Sequence, residues 1–200
     1  MAPVRRSHRP ARRRSALRGA VLALLVAAPV IAAGCGSGPT PQPSVARPAL
    51  DPTSQPTALA GGGVIDLPAT WKITTPADGG PLIALATSGQ GFIAVWRYAR
   101  TEPLPVTRAD LRNTRRSLRN AVLARDPQFK LYAAILRPGP PPAVEIIGTG
   151  RLAGAPRAIR SLHVYSAGSE TVVDCVAPVS EAAQFASTIC DPALQSLQVS

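Results

Sequence analysis

Arginine spacing is the first feature of this chain that suggests chemistry. Arg108, Arg112, Arg115 and Arg119 recur at i, i+4, i+7 and i+11, with Arg116 adjacent. At about 3.6 residues per turn these positions share one face of a helix. Guanidinium groups stacked on one stripe repel by roughly a few tenths of a kcal/mol per neighbouring pair. A purely structural helix surface more often intersperses acids, and here only Asp110 is present, on another side. The stripe is a candidate surface for anions: lipid headgroups, an acidic envelope polymer or an acidic partner. A nucleophilic triad beyond the first residues has to use His163, since the other histidine is His8. In "RSLHVYS" His163 alternates with Leu162 and Val164, so on a strand it faces away from them, which is the pattern of an ordinary sheet-face histidine. An extracytoplasmic hydrolase of unrecognised type, using a serine with His163, is the alternative function. Glu145 in "VEII" has no second carboxylate near it in sequence and reads as a solvated strand residue. No Gly-x-Ser-x-Gly, Ser-x-x-Lys or Walker pattern occurs. Cys35, Cys175 and Cys190 are an odd set, and neither Cys-x-x-Cys nor His-x-x-x-His spacing exists. The sequence therefore offers no catalytic set, no metal site and no cofactor motif.

The elements that must position these residues are legible in outline. Residues 107–125 read as a helix with an apolar stripe of Leu111, Leu118 and Val122, Thr107 as its cap and Asp110 at the capping-box position. "GVIDLPATWKIT" reads as two short strands about a proline turn. "PLIALAT" and "FIAVWRYAR" form a hairpin across "SGQG". "FKLYAAILR", then "AVEIIGTGRLAG", "PRAIRSLHVYSA" and "ETVVDCVAP" read as further strands. "SEAAQFASTIC" is a predicted helix capped by Ser180 and broken at Asp191-Pro192, and "ALQSLQV" a turn with a short final strand. The predicted class is α+β: an antiparallel sheet of about six or seven strands, one mid-chain helix and one C-terminal helix.

The net charge of +11 suggests a nucleic-acid binder until the charges are located. Arg5, Arg6, Arg9, Arg12, Arg13, Arg14 and Arg18 precede residue 19, and every acid follows residue 50. After residue 34 the balance is 15 basic against 11 acidic residues, or +4. Residues 20–33, "AVLALLVAAPVIAA", make an apolar run of signal-peptide length, shorter than the roughly 20 residues of a bilayer span and interrupted by Pro29. The run ends in "IAAGC", which resembles the lipobox of bacterial lipoproteins, with Ala32 where that pattern favours leucine. The resemblance implies that residues 1–34 are removed and that Cys35 carries a diacylglyceryl group, which gives a stable anchor to the cell membrane on its extracytoplasmic face. An ordinary secretory leader leaving a free thiol is the alternative. "RRRSALRG" is similar to a twin-arginine export signal with a weak hydrophobic pair, Ala16 and Leu17, so the export route stays open. Residues 35–63, with six prolines from Pro39 to Pro56, then read as a tether, and 64–200 as one globular domain.

If Cys35 is acylated, Cys175 and Cys190 remain, and outside the cytoplasm two such thiols pair; two buried free thiols are the alternative. "IDLPATW", the amphipathic helix, the consecutive strands and the "VAP…F…ICDPALQSLQV" ending resemble small actinobacterial lipoproteins with a PsbP-like fold. That resemblance implies an antiparallel sheet sandwiched between helices and no catalytic residues, and fold likeness alone transfers no function. The function expected is a lipid-anchored, non-catalytic binding or accessory domain for an envelope protein or an amphiphilic lipid ligand. Nucleic acid is excluded as a partner by the predicted address. The aromatics are spread through predicted core strands rather than set out for base stacking.

Overall fold

In the computed structural model, residues 53–89, 91–166 and 168–200 are described. Cys35 and the leader lie outside them, as does most of the predicted tether. Period-two alternation puts each strand's apolar residues on one side, and the sheet follows from it. Among the described residues nine strands form: β1 (Ser54–Ala58), β2 (Val64–Pro68), β3 (Lys72–Thr74), β4 (Leu82–Thr87), β5 (Phe92–Ala99), β6 (Lys130–Arg137), β7 (Ala143–Leu152), β8 (Ala155–Ser166) and β9 (Ser169–Pro178). Seven make one antiparallel sheet in the order β3-β4-β5-β9-β8-β7-β6, and β1 pairs with β2 in a small sheet of its own. The fold is α+β, as the sequence indicates.

Helices cover both faces of the large sheet. On one face Ile93, Val95, Val173 and Cys175 pack against Phe185, Ile189 and Leu194 of the C-terminal segment. The rings of Trp71 and Phe185 meet there with centroids 5.9 Å apart. On the other face Leu111 of α1 (Arg108–Arg125) packs on Val144, Ile146, Phe129 and Tyr165. Thr107 caps α1 reciprocally: the Asp110 amide donates to Thr107 Oγ1 at 3.1 Å, and the Thr107 amide to Asp110 Oδ2 at 3.1 Å. These hydrogen bonds hold the Asp110 carboxyl below its usual pKa.

Four local expectations change. Ser54–Ala58, read as tether, is a strand paired with β2, and Leu59 just after it is buried. Proline at position 56 is tolerated because β1, among the described residues, has β2 as its one neighbour. The turn that follows uses Gly61, Gly62 and Gly63 at φ +79°, +97° and +116°, a region that side chains avoid. Asp191-Pro192 does not end the C-terminal helix. A 3-10 turn (Val179–Glu181), α2 (Ala182–Phe185), a π-helical turn (Ala186–Cys190) and α3 (Asp191–Ser196) run on continuously. Pro192 falls in the first turn of α3, where a missing N–H is cheap. Ser180 makes no capping bond, and the final strand is a single bridge between Gln198 and Val64.

Candidate functional site

The arginine stripe lines a groove. β6 is the last strand of the sheet, and α1 packs on the β6–β7 side, so the outer face of α1 and the edge of the sheet form two walls. Arg112, Arg115, Arg116 and Arg119 converge on the resulting cavity of about 460 Å³, floored by Leu131, Ala133 and Ala134. Arg108 lies one turn outside it. Arg115 is half-buried and reaches the Ala134 carbonyl with Nη1 at 3.5 Å, while the other three are exposed. Among the described residues no carboxylate forms an ion pair with any of these four. The groove is a concave positive surface with an apolar floor, suited to charge-assisted hydrogen bonding of an anion. The sequence pattern located three of the four groove arginines. It missed that Arg116 joins them and that a sheet edge supplies the second wall.

His163 sits on the α1 side of β8, 14 % exposed, with Nδ1 2.7 Å from Glu170 Oε1. Glu170 is shared: Arg100 Nη1 donates to Oε2 at 2.7 Å, and the Tyr165 hydroxyl donates to Oε1 at 3.4 Å. The Arg100 guanidinium also lies over the Tyr165 ring, 5.1 Å from its centroid. Burial alone raises the Glu170 pKa, but His163 and Arg100 outweigh it and hold the carboxyl below its ordinary value. Burial, then the Glu170 charge, pushes the Tyr165 phenol up. Ser161, the nearest serine on this face of β8, donates its hydroxyl to Asp174. The arrangement therefore contains an acid–imidazole pair, with the neighbouring serine hydroxyl committed to a different carboxylate. His163 lines neither the arginine groove nor the second cavity described below.

Glu145 corrects the sequence reading outright. It is completely buried on the opposite face of β7. Arg137 donates to its Oε2 from Nε at 3.0 Å and Nη2 at 2.6 Å, and Arg160 donates to Oε1. Arg160 continues to Asp191, which ties β7 and β8 to the start of α3. Burial lowers the Arg160 pKa, but Glu145 and Asp191 reverse the sign and raise it.

Two further features lie near the same edge. An apolar slot of about 190 Å³ opens beneath the C-terminal helices, lined by Ile147, Ala158, Ala177, Phe185 and Ala186. Beside it Cys175 and Cys190 are joined as a disulfide with their Cα atoms 6.0 Å apart. Tyr132, 67 % exposed, borders both the slot and the groove. It occupies an irregularity in the β6–β7 register between Leu131 and Ala133, and its hydroxyl lies 3.1 Å from Thr149 Oγ1. Among the described residues, no group of three metal-ligating side chains is assembled.

A seven-stranded antiparallel sheet with helices on both faces, completed by a C-terminal helical run, is an α+β sandwich of the PsbP type. Solved structures of that type superimpose on it. The cyanobacterial PsbP (CyanoP) from Synechocystis does so with a TM-score of 0.57 at 13 % identity, covering 80 % of this chain and 100 % of its own. LpqN of Mycobacterium tuberculosis, described as involved in cell envelope biogenesis, does so at 0.53 and 13 % identity, covering 74 % and 91 %. At these identities the likeness is one of fold. No protein-family model matches the chain, and no curated protein matches it significantly.

Proposed function

We propose that this chain is a lipid-anchored cell-envelope protein whose folded unit is a non-catalytic binding domain for an anionic envelope partner. The observation that carries the binding role is the convergence of Arg112, Arg115, Arg116 and Arg119 on one groove without a described carboxylate to neutralise them. Holding like charges together on a concave wall is unfavourable in the free protein, and an anion relieves it. The anchor reading rests on the "IAAGC" pattern: residues 1–34 are removed, Cys35 is acylated, and the proline-rich stretch after it holds the domain off the membrane. An envelope address also agrees with the described role of LpqN.

Two measurements test the two halves separately. Expressed in a bacterial host, the full chain is acylated at Cys35 and cut after residue 34, and Cys35→Ser is neither acylated nor cut there, as read by mass spectrometry of the membrane fraction. A variant that remains membrane-bound and identically trimmed refutes the anchor. For the domain, the mature protein in zwitterionic nanodiscs binds polyglutamate, and Arg112→Gln/Arg115→Gln/Arg119→Gln weakens binding about tenfold or more at low salt. Unchanged binding refutes the groove. A second reading, carriage of an amphiphile, is favoured by the apolar slot. It predicts lipid co-purifying with wild-type protein and lost on Ala182→Trp, which fills the slot.

A further inference from the structure

The two sides of β6 at the sheet edge differ in chemistry. On the α1 side the arginine groove runs beside it. On the opposite side Tyr132 and Ile135 are exposed, at 67 % and 41 %. Among the described residues β6 has no strand partner besides β7, and its backbone is reached from α1 by Arg115, whose Nη1 lies 3.5 Å from the Ala134 carbonyl. The far edge of the sheet is β3, with three residues. Long open edges recruit other chains, and proteins ordinarily blunt them. Taking the proposed anionic partner as given, we infer that this edge is where that partner docks. The partner is an extended segment that alternates acidic and apolar residues and adds to β6 as an eighth strand.

The alternation follows from the pleat. Side chains of an added strand point in turn to the two faces. Those on the α1 face meet the guanidinium groups, and those on the other face cover Ile135 and Tyr132. The repeat distances agree. Arg112 to Arg119 spans seven residues of helix, or about 10 Å. Same-face residues of a strand are about 7 Å apart. Two or three acids at i, i+2 and i+4 therefore match the groove. The irregularity at Tyr132 leaves Ala133–Arg137 as the regular stretch open to pairing.

Charge decides against the other occupants of an edge. In the symmetric antiparallel pairing of two copies, Lys130 of one β6 faces Arg137 of the other and both arginine grooves lie on the same seam, which is destabilising. This chain's own residues 36–52 carry one acid, Asp51, and one base, Arg47, so the tether lacks the complementary charge. A membrane surface satisfies the arginines but offers the backbone edge nothing to pair with.

The test uses the mature lipidated protein in zwitterionic nanodiscs and three probes. These are a labelled peptide of alternating Glu and Val as long as β6, the same peptide N-methylated at its backbone nitrogens, and a short-chain phosphatidylglycerol below its micelle concentration. The unmodified peptide is expected to bind and to slow amide exchange in β6 about tenfold or more. Its N-methylated twin keeps the charge, loses the ladder hydrogen bonds, and is expected to bind about tenfold more weakly or worse. Arg112→Gln/Arg116→Gln/Arg119→Gln weakens the unmodified peptide to a similar degree and steepens nothing with salt. Equal binding of the twin overturns strand addition and leaves the groove as a site for charge alone. Binding of phosphatidylglycerol without the peptide also overturns it, in favour of a membrane-facing role. Failure of every anionic probe overturns this inference together with the function it rests on.

Discussion

Replacing Glu145 by alanine tests whether the core is wired as described. The carboxylate is fully buried and receives three hydrogen bonds, two from Arg137 and one from Arg160. Removing one partner of a buried ion pair costs about 3–5 kcal/mol, because the other charge is left stranded. The surroundings place this case near the lower end. The Arg137 side chain is 46 % exposed and turns to water, while Arg160, 19 % exposed, keeps Asp191. The expected loss for Glu145→Ala is therefore about 3 kcal/mol. Glu145→Gln keeps the volume but removes the charge and leaves one acceptor oxygen for two arginines, its NH2 facing the other guanidinium, and is expected to cost about 2–3 kcal/mol. Urea unfolding followed by tryptophan fluorescence reads both. With a slope of about 2 kcal/mol per molar, the alanine variant moves the midpoint down by about 1.5 M. A loss below about 1 kcal/mol for Glu145→Ala refutes the reasoning, since deleting a fully buried carboxylate that accepts three charge-assisted hydrogen bonds, and leaving a void in its place, cannot be that cheap. A combined Glu145→Leu/Arg160→Met variant is expected to be more stable than Glu145→Leu alone, because it removes the guanidinium Nε left facing an apolar side chain, while Asp191, 37 % exposed, turns to water. The double-mutant cycle reads that coupling directly.

Three other perturbations have defined outcomes. Gly148 lies beneath the Phe129 ring, and a Cβ there meets the ring carbons and the Lys130 carbonyl; Gly148→Ala is expected to cost about 1–3 kcal/mol in chemical denaturation, and a neutral result refutes that packing. Cys190→Ser opens a cross-link between residues 15 apart in sequence, and the expected loss is about 3 kcal/mol on the chain-entropy account, read as a lower unfolding midpoint under non-reducing conditions. Glu170 has a folded pKa depressed by His163 and Arg100 against its burial. Its contribution to stability is therefore present above the unfolded carboxyl's value of about 4.3 and fades as pH falls through the lower folded value. Glu170→Gln is expected to lower stability at neutral pH and to flatten the stability–pH curve on the acid side, and an unchanged acid limb refutes the assignment.

The sequence disclosed what is local and concealed what depends on strand order. The α1 arginines recur at helical spacing, so their common face was readable, as were the Thr107–Asp110 cap and most strands. That β6 ends the sheet of the described residues, and so turns the stripe into a groove, is a fact of topology: β6 follows α1 in sequence but, among those residues, pairs only with β7. Glu145 misled for the same reason. Its partners Arg137 and Arg160 stand 8 and 15 residues away. They come within reach because β6 and β8 flank β7 in a register that places Ile135 and Leu162 beside Glu145. Pro192 misled because a proline reads as a stop, whereas here the π-helical turn Ala186–Cys190 leads directly into α3 and the helical run continues through the proline. Ser54–Ala58 was lost among prolines because its pairing comes from β2 and its anchor, Leu59, lies just past its end.

The polar cluster around His163 bears on the choice between binding and catalysis. A general base needs a free, directed lone pair, and a carboxylate orients it by holding the opposite ring nitrogen. Glu170 holds His163 Nδ1, which is half of that geometry. The other half calls for a nucleophile on the remaining nitrogen, and Ser161, on the same face of β8, donates to Asp174 instead. Glu170 is also bound by Arg100, whose guanidinium stacks on Tyr165, so the carboxylate knits β8, β9 and the segment after β5 together. A carboxylate serving three donors in a wall of packed side chains is explained in full by structure. Arg112, Arg116 and Arg119 are exposed and form no ion pair among the described residues, and for that reason the proposed binding role rests on the groove and not on the histidine.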